Sequence, residues 1–462
     1  MTWRIALETL RAHLVRAGVT ARIVGPDDAD YDATRAFFYG NFEKKPASIV
    51  LAADAGDVAR TVRLARDLGV ELAVRSGGHS VAGHSGTDGG IVLDLRQMKS
   101  IEIDTGARTV WAQTGLTAAE LTTATAAHGL AVGFGDTGSV GIGGITLGGG
   151  IGYLVRKHGM TIDSLLAAEI VTADGKVVRA DAEDHADLFW AIRGGGGNFG
   201  VATRFLYRLH PVDTVVGGMM MLPATADVIT GFMANADAAP EELSAIANVM
   251  AVPPAPMFPP EVHGKVVVMA LVCYAGDPEA GARALAPFRA LAEPIIDMVQ
   301  PIPYPQMYPP EDDSYHPTAV GRNLLIDEVD DTTARTILRY IEESDAPMRV
   351  AQLRVLGGAM ARVPADATAF AHRSSKIMAN VAAFYDGAED KVQRDAWVES
   401  FADVLRQNDQ GAYVNFIGEE SNGWIRRAYP DGTWQRLQAI KAKYDPTNLF
   451  HLNQNIPPAA AG

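Results

Sequence analysis

Between Pro46 and Leu209 short apolar runs alternate with stretches of helical period. A helix is predicted over residues 57–68, because Val58, Val62 and Ala65 recur on one face and Gly69 follows as a stop. Leu72-Ala73-Val74, Ile91-Val92-Leu93 and Thr109-Val110-Trp111-Ala112 read as strands. Thr117-Ala118-Ala119-Glu120 has the spacing of a capping box and opens a helix that ends near His128-Gly129. Asp174-Gly175, between the apolar runs 167–172 and 177–178, predicts a hairpin turn. From Val212 to Gln410 the pattern changes to longer strands, Val266–Tyr274 and Ile377–Phe384, with more amphipathic helix. Two proline-rich stretches, 253–260 and 301–310, read as loops, since proline has no N–H to give a helix. The last forty or so residues return to charged helix and a proline-terminated tail, and no solenoid repeat is present. The expected class is α+β. Residues 1–211 form a first domain (its core about 46–209), 212–410 an inserted second domain, and 411–462 a segment that completes the first.

Composition narrows the chemistry. At 462 residues the chain can bury a core without staples. Its 40 basic and 55 acidic residues give a net charge of −15, which argues against nucleic acid and anionic membranes as partners. One cysteine, Cys273, excludes an intrachain disulfide or a cysteine-rich metal site, and its apolar setting reads as a buried thiol. The eleven histidines show no ligand spacing, so no metal is expected. No apolar signal core follows Met1, and no run approaches a membrane span, so a cytoplasmic location is the expectation. Runs such as Glu311-Asp312-Asp313 read as solvated faces, and Tyr385 and Trp434 as packing aromatics.

Glycine is the unusual count, and it is concentrated. Ten of the twenty residues from Gly133 to Gly152 are glycine. A second cluster runs Arg193-Gly194-Gly195-Gly196-Gly197-Asn198-Phe199-Gly200, and a third, Arg75-Ser76-Gly77-Gly78-His79-Ser80, ends a predicted strand. Glycine lets backbone N–H groups approach a polyanion closely, so three such loops suit a pyrophosphate. Two G-x-G-x-x-G matches occur, but one runs into more glycine and the other into a strand-like run at Val201, so neither has the helix a Rossmann site needs. A dinucleotide held by loops of another architecture is the reading that remains.

These glycine clusters, with Lys443-Tyr444-Asp445-Pro446-Thr447-Asn448-Leu449-Phe450 and Asn453-Gln454-Asn455-Ile456-Pro457 near the end, resemble the berberine-bridge-enzyme-like flavoproteins. That family lies within the vanillyl-alcohol-oxidase, or PCMH-type, superfamily, and the resemblance covers about residues 30–458. It implies a two-part PCMH-type FAD-binding domain with an inserted substrate domain, built on an antiparallel sheet with helices. It implies FAD as cofactor, linked to the protein by one covalent bond through His79. A second link is not expected, because Thr137 stands where some relatives carry cysteine. The positions implied around the cofactor are Arg75, Ser76, Gly77, Gly78, Ser80, Thr137, Gly138, Val140, Gly141, Gly143, Gly144, Gly148, Gly149, Gly150, Asn198, Gly200, Val201, Asn453 and Asn455.

The resemblance also implies hydride transfer from a C–H bond of a small-molecule amine or alcohol to the flavin, with O2 as electron acceptor. Substrate-pocket candidates are Tyr153, Gln352, Arg354, Asn380, Tyr413 and Asn415. Gln352 and Arg354 are two apart and would share a strand face. Relatives that carry a tyrosine base on a C-terminal substrate strand have Phe416 as its counterpart here, and plant relatives with a glutamate base have Asn380. Both departures favour either a substrate that needs little deprotonation, such as a neutral amine, or a base at a position not yet identified. Val140 precedes the Gly-x-Gly-Gly run, where a small side chain leaves oxygen a place beside the flavin. A dehydrogenase with another acceptor, or a flavin-binding protein without catalysis, stays open at this point.

Overall fold

The computed structural model describes residues 7–254, 258–312, 314–418 and 422–460. Part of the first proline-rich stretch (255–257) and Asp313 of the acidic run lie outside the described residues.

The first part of the chain forms two sheets. Strands Arg22–Val24, Ser48–Leu51, Ile91–Asp94 and Leu72–Arg75 are adjacent in that order, the last three parallel. The parallel pairing needs a crossover, which the helix Ala55–Leu68 supplies. Asp54 caps that helix and Gly69, at φ 64°, ends it. The second sheet is antiparallel, in the order Ile101–Asp104, Thr109–Gln113, Val201–Arg208, Leu165–Val171, Val177–Asp181. Asp174-Gly175 turns the last hairpin. The capping box at Thr117 and Glu120 forms as its spacing requires.

Strands between Thr214 and Phe384 build an eight-stranded antiparallel sheet. The helices Ala226–Ala238, Pro278–Arg289, Asp331–Glu343 and Gly387–Leu405 bury their apolar faces in one core with it, through Phe232, Phe288, Ile337 and Phe401 among others. Beyond that insertion the chain returns. Ala412, Val414, Tyr429, Leu437 and Ile456 lie in the same core as Val110, Phe134 and Phe205. Lys441, fully buried, locks the return: its ammonium donates to Asn198 O (2.7 Å), Phe450 O (2.9 Å) and Asp445 Oδ2 (2.6 Å). Cys273 is buried in the inserted sheet. No helix among the described residues is long and apolar enough to cross a membrane.

Three local readings need correction. The glycine stretch contains a helix, Ile142–Gly148, where propensity alone predicts loop; burial of Ile142, Thr146 and Leu147 outweighs the cost of its glycines. Residues 301–310 are not all loop: Gln300–Pro303 pairs with Thr214–Pro223 as a strand at the sheet margin, where prolines are tolerated, and a 3₁₀ turn follows. Phe416 sits not on a strand but at the end of a 3₁₀ turn, Val414–Phe416.

Candidate active site

All three glycine clusters converge on the Ile142–Gly148 helix. Gly77 and Gly141 meet backbone to backbone: a Cβ on either would lie 2.2 Å from the other's nitrogen. Ser76 Oγ donates to Thr114 O (2.6 Å) and accepts from Gly143 N (3.2 Å), holding the first turn of the helix. From the other side, Gly194 N–H donates to Leu147 O at its end. Gly78, at φ 78°, turns the chain so that His79 stands at this junction.

Several residues implied as cofactor contacts have other tasks. Arg75 is buried, and its guanidinium donates to the carbonyls of Thr34 (2.7 Å), Arg35 (3.1 Å) and Ser85 (3.1 Å), so it fastens loops rather than reaching a ligand. Ser80 Oγ accepts from His84 N. The Asn198 amide is wholly used in joining the second cluster to the chain terminus: it donates to Gly195 O and Gln454 O and accepts from Ile456 N. Gly200 lies tight on Ile170 and Val171, and Val201 is buried beside them. Gly148, Gly149 and Gly150 make room for Asn415, Met160 and Thr161 respectively.

What remains fits FAD. Gly144 faces open space, as does Gly197 in the second cluster. The buried Oδ1 atoms of Asn453 and Asn455 have no hydrogen-bond partner, a costly state unless a ligand N–H or O–H is there to donate. Glycine backbone open to a ligand, with two orphaned amide acceptors, is a donor and acceptor set suited to a dinucleotide, and these are the residues that would hold it. Thr137 and Val140 are half-buried in the same stretch, Val140 outside every apolar core, while Gly138 is wedged between Ala119 and Tyr308.

His79 stacks on Phe38 with ring centroids 4.1 Å apart. Burial lowers its pKa to about 4, against a smaller opposing pull from Glu311. Its Nε2 lies 3.0 Å from Ser139 Oγ. Ser139 in turn holds Glu311 by two contacts, N–H to Oε1 at 3.0 Å and O–H to Oε2 at 2.5 Å. Glu311 and Asp312 are exposed, as a solvated face requires, and the Glu311 carboxylate meets Ser139 from that face.

Beyond His79 a cavity of about 220 Å³ opens between the strands Ala319–Ile326 and Ile377–Phe384 and the segment around Tyr39. Asn380, Phe416, Tyr39, Asn41, Arg322 and Asp395 line it, with Val81 two residues from His79. Cross-strand register sets four amides in one row: Asn248 opposite Gln352, Gln352 opposite Asn380, Asn380 opposite Asn323. Three are engaged within the protein, Gln352 with Asn248 (2.9 Å), Asn323 with Ala379 O and Tyr413 N. Asn380 is the one that lines the cavity.

Of the six pocket candidates, then, only Asn380 lies on this wall. Arg354 shares a face with Gln352 as expected, but it is buried, bonded to Gln352 Oε1 (2.9 Å) and paired with Asp136 at 2.6 Å, while its guanidinium covers the Phe416 ring at 5.5 Å. Tyr413 is buried; its oxygen accepts from Gly150 N and Asn415 Nδ2, both at 2.8 Å, and burial pushes its pKa up to about 12. Asn415 also donates to Ile145 O, so the pair fastens the glycine helix. Tyr153 is buried against Tyr308. Tyr39 and Asn41 were not legible as site residues; an aromatic run, Phe37-Phe38-Tyr39, was the only signal. Tyr39 is raised to about 12, by burial first and by Asp136 next. Among the described residues no group of three metal-ligating side chains occurs.

Residues 46–181 match the family described as FAD binding domain, and residues 412–457 the family described as berberine and berberine like. An FAD-linked oxidoreductase of Dictyostelium discoideum is 31% identical over 425 residues, 89% of either chain. (R)-6-Hydroxynicotine oxidase of Paenarthrobacter nicotinovorans is 29% identical over 464 residues, 95% of this chain and 97% of its own. The solved structure of 6-hydroxy-D-nicotine oxidase from Arthrobacter nicotinovorans superposes with a TM-score of 0.84, at 26% identity, over 95% of this chain and 98% of that one. Physcomitrella patens BBE-like 1 has the same fold, with a TM-score of 0.86 over 98% of this chain and 100% of its own at 24% identity. Fold and site together define an FAD-linked oxidoreductase of the PCMH type. The chain belongs to the berberine-bridge-enzyme-like family of these flavoproteins.

Proposed function

We propose that the chain is a cytoplasmic oxidase that holds FAD through one covalent bond from His79 and takes hydride from a carbon of a small amine or alcohol, the electrons passing on to O2 as hydrogen peroxide. The observation that carries this reading is the cavity beyond His79, of small-molecule size and walled by Asn380 and Phe416. When bound, FAD supplies the two-electron acceptor. The protein's own residues do the rest. Asn380 offers an amide to a hydroxyl or amine, and Tyr39 and Phe416 wall the cavity with rings that exclude water. Neither position 380 nor position 416 carries a base, which favours a substrate that arrives as the neutral amine. Relatives named as oxidases of 6-hydroxynicotine and of xylooligosaccharides support the oxidase reading and differ in substrate.

Screening amines, sugars and alcohols for peroxide release tests the reaction. The protein should keep its yellow colour after acid precipitation, and digestion should yield one flavin-bearing peptide containing His79. Flavin released wholly into the acid supernatant overturns the covalent bond. Reduced protein that reoxidises slowly in air but rapidly with a quinone is a dehydrogenase instead.

A further inference from the structure

The direction of the hydrogen bonds joining Glu311, Ser139 and His79 is fixed by chemistry. An ionised carboxylate only accepts, so Glu311 receives both the Ser139 N–H and the Ser139 hydroxyl proton. A serine hydroxyl has one proton, and this one is committed. The 3.0 Å contact between Ser139 Oγ and His79 Nε2 is therefore donated by the histidine. With its proton on Nε2, a neutral imidazole keeps a lone pair on Nδ1. Burial against Phe38 keeps the ring neutral at ordinary pH. Gly138 is part of the arrangement: a Cβ there would lie 3.1 Å from Ala119, 3.2 Å from Tyr308 and 3.6 Å from Glu311 Oε1. Glu311 comes from the inserted part of the chain, 172 positions from Ser139, so the relay exists only when the two parts are docked.

We propose that Glu311 and Ser139 are positioning residues for flavin attachment: they hold His79 as the Nε2–H tautomer, make Nδ1 the bonding atom, and draw off the Nε2 proton as the bond forms. This rests on the covalent reading above. In the step a C–H bond of the flavin 8α methyl group breaks and the Nδ1–carbon bond forms. The electron pair of that C–H bond passes into the flavin ring, which is reduced by two electrons. One proton comes from the methyl group and one from Nε2, the latter through Ser139 to Glu311. O2 then takes the electron pair and two protons and leaves as hydrogen peroxide, so atoms and electrons balance.

The test uses the full chain made in riboflavin-starved cells and then mixed with FAD. Bound flavin is followed by co-elution in gel filtration, and attached flavin by fluorescence of the acid-precipitated protein. Ser139→Ala and Glu311→Gln should bind FAD yet attach it at least tenfold more slowly than the wild type. Ser139→Thr, which keeps the hydroxyl, should attach within about twofold of it. Nitrogen-15 spectra of histidine-labelled protein before FAD is added should show His79 protonated at Nε2 in the wild type, with that preference lost in Ser139→Ala. Attachment at the wild-type rate in both Ser139→Ala and Glu311→Gln, or a wild-type His79 protonated at Nδ1, overturns the relay. A wild type that binds FAD but never attaches it, with His79 protonated at Nε2, overturns the covalent reading and the attachment role while leaving the tautomer assignment standing.

Discussion

Val140 is half-buried, belongs to no apolar core, and its carbonyl accepts from Ala118 N, which fixes its backbone within the first glycine stretch. In a close-packed interior one added methylene occupies a space the size of O2. Val140→Leu should slow reoxidation of the reduced protein about tenfold or more in stopped-flow mixing with aerated buffer, with reduction by substrate unchanged; equal reoxidation rates would remove the side chain from the oxygen path. Asn380 is the one amide of its row on the cavity wall. Asn380→Ala should lower kcat/KM about tenfold, the worth of one hydrogen bond to a substrate, whereas Gln352→Ala, whose amide is engaged with Asn248, should act mainly through stability. The place of His79 at the glycine junction was legible because Gly77 and Gly78 precede it directly after a strand end, a signal local in sequence. Glu311 and Tyr39 were not, since what makes them part of the site is contact across long separations: Glu311 is exposed by sequence pattern and by surface area, and only its hydrogen bonds to Ser139 tie it to the site.

Among the elements, the Ile142–Gly148 helix shows where sequence reading ran out. Three of its seven residues are glycine, each costing about 1 kcal/mol relative to alanine in a helix, so local propensity points to loop. Tertiary contacts reverse that preference. Ser76 takes an N–H of its first turn, Asn415 takes up Ile145 O, and Thr146 bonds the buried Tyr207 at 2.8 Å. The proline strand Gln300–Pro303 is a similar case, permitted because it adds at the sheet margin. By contrast, Val266–Tyr274 and Ile377–Phe384 were legible to the residue, because long runs of apolar residues, broken in the second only by Asn380, carry their own strand signal. Gly141 is where the element depends on one residue. A Cβ there would sit 2.2 Å from Gly77 N and 2.3 Å from Ser76 Oγ, and backbone cannot swing aside as a side chain can. Gly141→Ala should cost about 1–3 kcal/mol by overpacking and loosen flavin retention with it; thermal unfolding and the flavin-to-protein absorbance ratio report both, and a variant with wild-type values of each would show that the loops can part freely. Gly144→Ala, facing open space inside the helix, should raise stability by up to about 1 kcal/mol, the helix cost of its glycine, and weaken only flavin binding.

On the scale of the whole molecule, the response to acid follows from buried histidines. His158 and His210 stack with centroids 4.1 Å apart, and burial lowers them to about 3 and about 4, each further depressed by nearby positive charge; His79 lies at about 4 for the same first reason. An unfolded chain protonates histidine near pH 6.5. Between that value and about 4 the unfolded state therefore binds more protons than the folded one, and stability falls as pH falls. Carboxylates with depressed pKa act lower down: Asp174, at about 2, loses its contribution only below the ordinary carboxylate range. The window from pH 6.5 to 4.5 thus belongs to the histidines. His158 gives a clean test, because its Nε2 is buried without a partner, so exchange for an apolar ring breaks no hydrogen bond at that atom. His158→Phe can keep the stack on His210 and removes one proton-binding difference. Linkage for one such group amounts to about 1 kcal/mol at pH 5, once screening of a site partly open to water is allowed for. The variant should therefore lose less stability than the wild type between pH 7 and pH 5, measured as the difference in denaturant midpoint at each pH. An identical loss in both proteins would mean that His158 already takes its proton in the folded state, with the stack opening to admit it.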